Sequence, residues 1–500
     1  MDTTLLMIFA SLLIFVAILM GKVGAKFGIP TLLLFLFTGM LFGTDGLGYD
    51  FQNDHLVQKI GMVALSIILF TGGMDTQIAV IKKVALPGIL LSTVGVLLTT
   101  LFTGFFIYYY SGSSFLSLAF SFPFSLLLAA TMSSTDSASV FGILRSQRIH
   151  LKENLKPMLE LESGSNDPMA YMLTIILIDY LLQGNISVAY LFKSFLLQFI
   201  LGAFLGWLFG KLATLIINKT NIPNTTLYPI LLLSIVFFSF GVSQWLGGNA
   251  YLTAYIAGLT VGNLHIVHRG IINRFFDGIT WLLQIILFIL LGLLVNPAEM
   301  IRLAPLSIPV GLFIMFLARP LACFMSLSFV RKLSLKARFF VSWVGLRGAA
   351  PILFATYPVV RHVMEGSIIF NVVFFVTLFS LLIQGMTITP FAKRLRLATP
   401  APPEGSFVGV ELPEETGANM EERKVTAEML KSGARMKNLQ LTEKELVILI
   451  RRKNRFIVPK GHLLLHEGDI LLVVSQVESG DSPKDETNLF NSIRSKIYKT

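Results

Sequence analysis

The stretch Leu161–Asp167, Leu-Glu-Ser-Gly-Ser-Asn-Asp, sets two carboxylates, two hydroxyls and an amide inside a run that is otherwise apolar and long enough to span a membrane. A charged side chain at mid-bilayer costs roughly 3 kcal/mol or more, so Glu162 and Asp167 must face protein or water rather than lipid. At helical spacing Glu162 stands over Asn166 and Ser163 over Asp167, so one helix face carries four oxygen-bearing side chains. Such a face suits a small dehydrated cation or a proton. Pro168 has no N–H to give to the carbonyl of Gly164, which leaves one more oxygen free on the same turn. Asp167 is the expected ion carrier, and Glu162 reads equally well as a ligand or as half of a buried ion pair.

Two other runs carry polar interruptions that a lipid-facing helix would not tolerate. Residues 129–139 hold a hydroxyl-rich patch around Asp136, and residues 344–351 place Arg347 between glycines. A helix broken there leaves backbone N–H groups unpaired, so Asp136 is expected to stabilise half-helix ends, with Thr135 touching the ion. Arg347 is expected to clamp Glu162 or Asp136. Arg319-Pro320 reads as a kink whose arginine snorkels or pairs.

The elements that position these groups follow from composition. With 54% hydrophobic and 14% charged residues, the chain is expected to be a polytopic α-helical membrane protein. About thirteen apolar runs recur between residues 4 and 395, which divides the chain into a transmembrane domain over 1–397, a Pro- and Gly-bearing linker over 398–419, a small α+β domain over 420–477 and a polar tail over 478–500. If runs 1–6 and 8–13 are inverted repeats, the broken fifth and twelfth are equivalent crossing helices, and such positions point to a transporter site. Lysines and arginines crowd alternate loops, which puts the N-terminus outside and the C-terminus in the cytoplasm. The net charge of +11 is thereby spent on topology, not on nucleic acid. The first apolar run lacks the basic start and the cleavage site of a secretory signal, and is read as retained.

Other chemistries fit poorly. The one cysteine, Cys323, excludes a disulfide framework, and no nucleotide-binding loop supports ATP-driven transport. An aspartyl protease would need its aspartates in Tyr-Asp and Gly-x-Gly-Asp settings, and a serine protease an intramembrane histidine; neither is found. No Thr-Val-Gly-Tyr-Gly-like filter marks a potassium channel. No cofactor is expected.

Together Leu69-Phe-Thr-Gly-Gly-Met-Asp75, Thr135-Asp136, Glu162-Ser163-x-x-Asn166-Asp167 and Gly345-Leu-Arg-Gly-Ala349 resemble the monovalent cation:proton antiporter family of NhaP type. The resemblance runs over essentially all of 1–397. It implies a thirteen-span homodimer of the bacterial inner membrane in which Asp167 binds cation and proton alternately, with Glu162, Ser163 and Thr135 completing the monovalent-cation site. Asn166, Asp136 and Arg347 would support it. Asn166 before Asp167, in place of a second aspartate, looks like the electroneutral branch. Ser137 stands where many relatives have proline. Residues 420–477 are similar to the TrkA C-terminal domain, the C-lobe of the module that regulates potassium conductance, through Gly433–Leu439 and Ile457–Val474. That likeness implies a regulatory domain with a possible small ligand but no nucleotide, and tilts the cation from sodium toward potassium. The alternatives are a sodium/proton antiporter of the same mechanism, and a channel or uptake component gated by the C-terminal domain.

Overall fold

The computed structural model describes residues 3–476 except 28–29, 50, 52, 114–117, 148, 185–186, 331–332, 401–417, 427–428, 431–432, 440, 442–444 and 453–454. The expected tail and most of the expected linker lie outside the described residues. The chain divides into two compact units, with the boundary at the C-terminal end of the first falling between Ala401 and Pro402.

The first unit is helical. It opens with α1 (Thr3–Phe27), α2 (Thr31–Phe42), α3 (Asp54–Asp75) and the short α4 (Ile78–Ile81). Helices α5 (Ala85–Leu90) and α6 (Val96–Ser111) are joined through a π-helical turn at Leu91–Gly95. The fifth apolar run is broken into α7 (Phe122–Thr131) and α8 (Ser137–Ser146); strand β1 (Ile149–Leu151) and the long α9 (Leu155–Gln183) follow. Then come α10 (Val188–Lys219), α11 (Leu227–Trp245), α12 (Ala250–Gly262), α13 (Arg269–Leu294) and the short α14 (Pro297–Arg302). Helices α15 (Ala304–Phe313) and α16 (Arg319–Ser326) are joined by a second π-helical turn, Ile314–Ala318. The twelfth run is broken into α17 (Leu335–Trp343) and α18 (Ala349–Val360), and α19 (Gly366–Arg394) ends the bundle.

Helix starts follow local chemistry. The side chains of Asn53, Ser121, Ser187, Asn249 and Ser334 each accept the backbone N–H three residues on, which satisfies donors the helix itself leaves unpaired. Among the described residues eight helices are long and apolar enough to cross a membrane. The other expected runs are short (α2, α12), broken (α7 with α8, α17 with α18) or polar (α9).

Helix α12 shows how the interior is built. Along α10, Gly202, Gly206 and Gly210 recur every fourth residue, and a Cβ on the first two would fall 2.8 Å and 2.7 Å from the carbonyl oxygens of Asn249 and Thr253. On the other side Gly258 and Gly262 of α12 press against the Phe70 and Met74 carbonyls of α3, and Gly73 of α3 against that of Tyr255. Helices in lipid gain little from burying apolar surface against each other, so close backbone approach through small residues supplies the packing. The result is a tightly laminated layer α10–α12–α3.

The two π-helical turns lie in the fourth and eleventh apolar runs, and the two breaks in the fifth and twelfth. Both pairs are seven runs apart, the offset that two repeats joined by a seventh span require.

Two expected boundaries move. Strand β2 (Ala398–Pro400), assigned to the linker by sequence, pairs antiparallel with β1 and belongs to the first unit. Ala418 and Asn419, also assigned to the linker, open strand β3 (Ala418–Lys424). The second unit is a four-stranded antiparallel sheet ordered β3, β6 (Ile470–Gln476), β4 (Glu445–Arg452) and β5 (Arg455–Ile457). Val425, Met436, Val447, Ile450, Leu465, Leu471 and Val473 form its core. Burial pushes the Asp469 carboxyl up, but hydrogen bonds from Arg452 at 2.8 Å and 3.0 Å and from the His466 N–H outweigh it and hold the group below the usual carboxylate range.

Candidate functional site

The two broken elements meet at their breaks, where the Asp136 N–H donates to the Leu346 carbonyl at 2.8 Å. Four half-helices therefore end near one point, each with unpaired backbone groups and a partial charge. Asp136 answers the positive ends. Its carboxylate accepts from the Ser139 N–H at 3.1 Å and the Ser139 hydroxyl at 2.5 Å, capping α8, and it lies against Gly348 at the start of α18, where any Cβ would collide with it. Arg347 answers the negative end of α7 by donating to the carbonyls of Ser133 at 2.9 Å and Ser134 at 2.5 Å. The Trp343 carbonyl at the end of α17 accepts from Gln384 at 2.7 Å.

Helix α9 lies against this crossing. The Ser163 hydroxyl donates to the Thr135 carbonyl at 2.9 Å and accepts the Ser137 N–H at 3.0 Å, bridging the break. The Asn166 amide donates to the Thr135 hydroxyl at 2.6 Å. Glu162 is ion-paired with Arg319, and both side chains are buried. The expected clamp is thus corrected: Arg319, just past the second π-helical turn, takes Glu162, while Arg347 binds backbone carbonyls. An arginine can satisfy five donors with any nearby oxygens, and the sequence does not say which.

Asp167 is left differently. Among the described residues no lysine or arginine pairs with it. It is 9% exposed, against 1% for Glu162 and none for Asn166, so it is the most accessible of the three. Among the described residues, buried polar atoms without a hydrogen-bond partner include Asn166 Oδ1, next to Asp167 in the chain, and Glu162 Oε2, Arg319 Nε and Arg347 Nη2 around the buried ion pair. Orphaned buried polar atoms are rare in folded proteins, which makes the Asn166 oxygen a candidate ligand beside Asp167.

Toward the start of α9, Ser163, Gly164 and Ser165 are partly exposed, and across from them Asp136 and Ser137 are partly exposed and Ala138 fully so; beyond Asp167, residues 168–170 are buried. All the site residues read from sequence are therefore brought to one locus: Asp167, Glu162, Ser163, Thr135, Asn166, Asp136 and Arg347. Sequence reasoning missed Arg319 as the partner of Glu162, although an arginine within an apolar run was itself the signal. In this locus three carboxylates face two guanidinium groups. With every group ionised it carries one negative charge, which a single proton or monovalent cation cancels.

The sequence matches the family model described as sodium/hydrogen exchanger, transmembrane, over residues 11–394. It is 36% identical over 476 residues to the K(+)/H(+) antiporter NhaP2 of Shewanella sp. (strain ANA-3), covering 94% of this chain and 81% of that protein. It is 37% identical over 390 residues to the K(+)/H(+) antiporter NhaP of Alkalimonas amylolytica, covering 78% and 66%. Among solved structures, the sodium proton antiporter MjNhaP1 from Methanocaldococcus jannaschii superposes with a TM-score of 0.65 at 21% identity, over 77% of this chain and all of that one. That likeness speaks for the fold.

Proposed function

The chain belongs to the sodium/hydrogen exchanger family, whose members are membrane transporters and not enzymes, and we propose that it exchanges cytoplasmic K+ for external H+ at Asp167, one for one. The observation that carries this reading is the charge balance at the crossing: three carboxylates, two of them held by partners, against two guanidinium groups. The loaded site is neutral whether it holds a proton or a monovalent cation. The empty site is an uncompensated buried charge, and moving it across the bilayer interior is costly. Proton and cation compete for one carboxylate, so each crossing carries one or the other and the two flows are coupled.

In this reading Asp167 is the carrier. Thr135 and the unpaired Asn166 oxygen supply further ligands, Ser163 ties the site to the break, and Glu162 acts through Arg319 as structural ballast more than as a ligand. Asp136 and Arg347 hold the half-helix ends. Potassium is favoured because the relatives with most of their length matched are named for K+/H+ exchange. The sodium reading rests on the family description and the fold neighbour, both named for sodium.

The remaining architecture is proposed on the same footing. Thirteen crossings in two inverted repeats fit the paired breaks and paired π-helical turns. The N-terminus lies outside and the C-terminus in the cytoplasm of a bacterial inner membrane, as the basic loops require. The exposed apolar faces of α1 and α10 meet lipid and the second copy of a homodimer. The second unit is a regulatory domain of the TrkA C-terminal kind that takes a small ligand.

Collapse of a preset pH gradient in proteoliposomes tests the function. Potassium should collapse it with wild-type protein and fail to do so with Asp167→Asn, whose fold and yield should be unchanged. Exchange retained in that variant would overturn the site assignment; collapse by sodium in preference to potassium would overturn the cation.

A further inference from the structure

One helical turn beyond Asp167, on the side away from the exposed residues 163–165, α9 presents Tyr171. Its ring packs edge-on against Tyr251 of α12, with centroids 4.8 Å apart, and against Tyr357 of α18 at 5.4 Å. Phe354 lies 5.9 Å from Tyr171 and 6.1 Å from Tyr251, which closes the cluster. Tyr251, Phe354 and Tyr357 are buried, and Tyr171 is partly so. The Tyr251 and Tyr357 hydroxyls hydrogen-bond to each other at 3.1 Å. That bond joins unlike partners. Tyr251 belongs to the laminated layer α10–α12–α3, and Tyr357 to a half-helix of the crossing that holds the ion site. Such a contact is made or broken whenever the crossing moves against the layer.

We infer that Tyr171, Tyr251 and Tyr357 form the outer gate of the ion path, latched by the Tyr251–Tyr357 hydrogen bond. The inference rests on Asp167 being the ion site. On α9 residues 163–165 are partly exposed while 168–170, between Asp167 and the rings, are buried; in this inference the packed rings close the path on their side of Asp167, and Tyr357 must part from Tyr251 to open it. Deleting one hydroxyl removes the latch and keeps the rings, so it weakens the closed state without dismantling the packing.

The readout is sidedness. In a carrier that alternates between two states, the apparent KM at each face scales inversely with the fraction of protein open to that face. The ratio of cation KM values at the two faces, measured in inside-out and right-side-out vesicles, therefore reports the equilibrium between states. Tyr251→Phe and Tyr357→Phe should each move that ratio by roughly two- to tenfold toward the outward-open state, the range of one neutral buried hydrogen bond. The double variant should move it no further than either single one. Tyr228→Phe removes the hydroxyl of another buried tyrosine, which donates to the Thr220 carbonyl at 2.7 Å and accepts the Ile222 N–H at 3.1 Å away from the path, and should leave the ratio at the wild-type value. An unchanged ratio in the gate variants, additive single effects, or an equal shift in Tyr228→Phe would overturn the gate. Asp167→Asn exchange tests the ion site separately, so failure of the one is distinguishable from failure of the other.

Discussion

At the scale of residues, the two acids of one helical turn have opposite surroundings. Glu162 is locked to Arg319 with both groups buried, whereas Asp167 is held by no cation among the described residues. Breaking a buried pair by removing one partner strands the other charge and costs about 3–5 kcal/mol, while replacing both with apolar groups is often neutral. Glu162→Gln and Arg319→Ala should therefore each lower the melting temperature of the purified protein markedly, and the double change Glu162→Leu with Arg319→Leu should regain most of the loss. Single variants that melt like wild type would mean that the pair is not structural, and would return Glu162 to the ligand set. Sequence placed both acids on one helix face because helical spacing is local information. It left the role of Glu162 open because its partner lies 157 residues away, and it misassigned Arg347 because backbone carbonyls, its actual partners, leave no mark in the order of residues.

At the scale of elements, the breaks were legible and the packing was not. A hydroxyl-rich patch or an arginine between glycines cannot face lipid, so composition alone exposes the crossing. The π-helical turns at Leu91–Gly95 and Ile314–Ala318 have no such signature, since their residues are ordinary apolar ones. The run that becomes α12 carries Gly258 and Gly262, weak helix formers, and nothing in the sequence says what they pack against. Its glycines are what allow α12 to sit between α3 and α10. A Cβ at Gly258 would collide with the Phe70 carbonyl, an atom of the backbone that cannot rotate away. Gly258→Ala should thus force the layer apart, costing about 1–3 kcal/mol by overpacking and lowering both folded yield and melting temperature. Gly241→Ala on α11, with open space around it, is the control and should cost neither. Equal behaviour of the two would show that α12 is free to shift, and would weaken its role as the fixed side of the gate.

At the scale of the whole molecule, the exchanger unit ends later than composition suggests. The prolines and glycines that mark a linker begin at Pro400, yet Ala398–Pro400 pairs with Ile149–Leu151, Leu397 is buried, and its carbonyl accepts the Lys152 N–H at 3.0 Å. This three-residue strand is too short to carry a pattern, and its partner is some 249 residues earlier, as in the bond from Thr399 to His150. The tie also fixes the entry to α9, because Lys152 and Leu155 belong to the same turn, where the Leu155 N–H donates to the Lys152 carbonyl. Cutting the chain after Ala401 should leave a folded protein that still exchanges cation for proton in vesicles, with its activation by pH or ligand altered. Cutting before Leu397 should free the start of the helix that bears Asp167, and lower the folded yield on size exclusion together with the exchange per folded molecule. If the two truncations behave alike and both exchange normally, the β1–β2 tie does not position α9. If the longer one is well folded yet inactive, the second unit is part of the transport machinery and not a regulator appended to it.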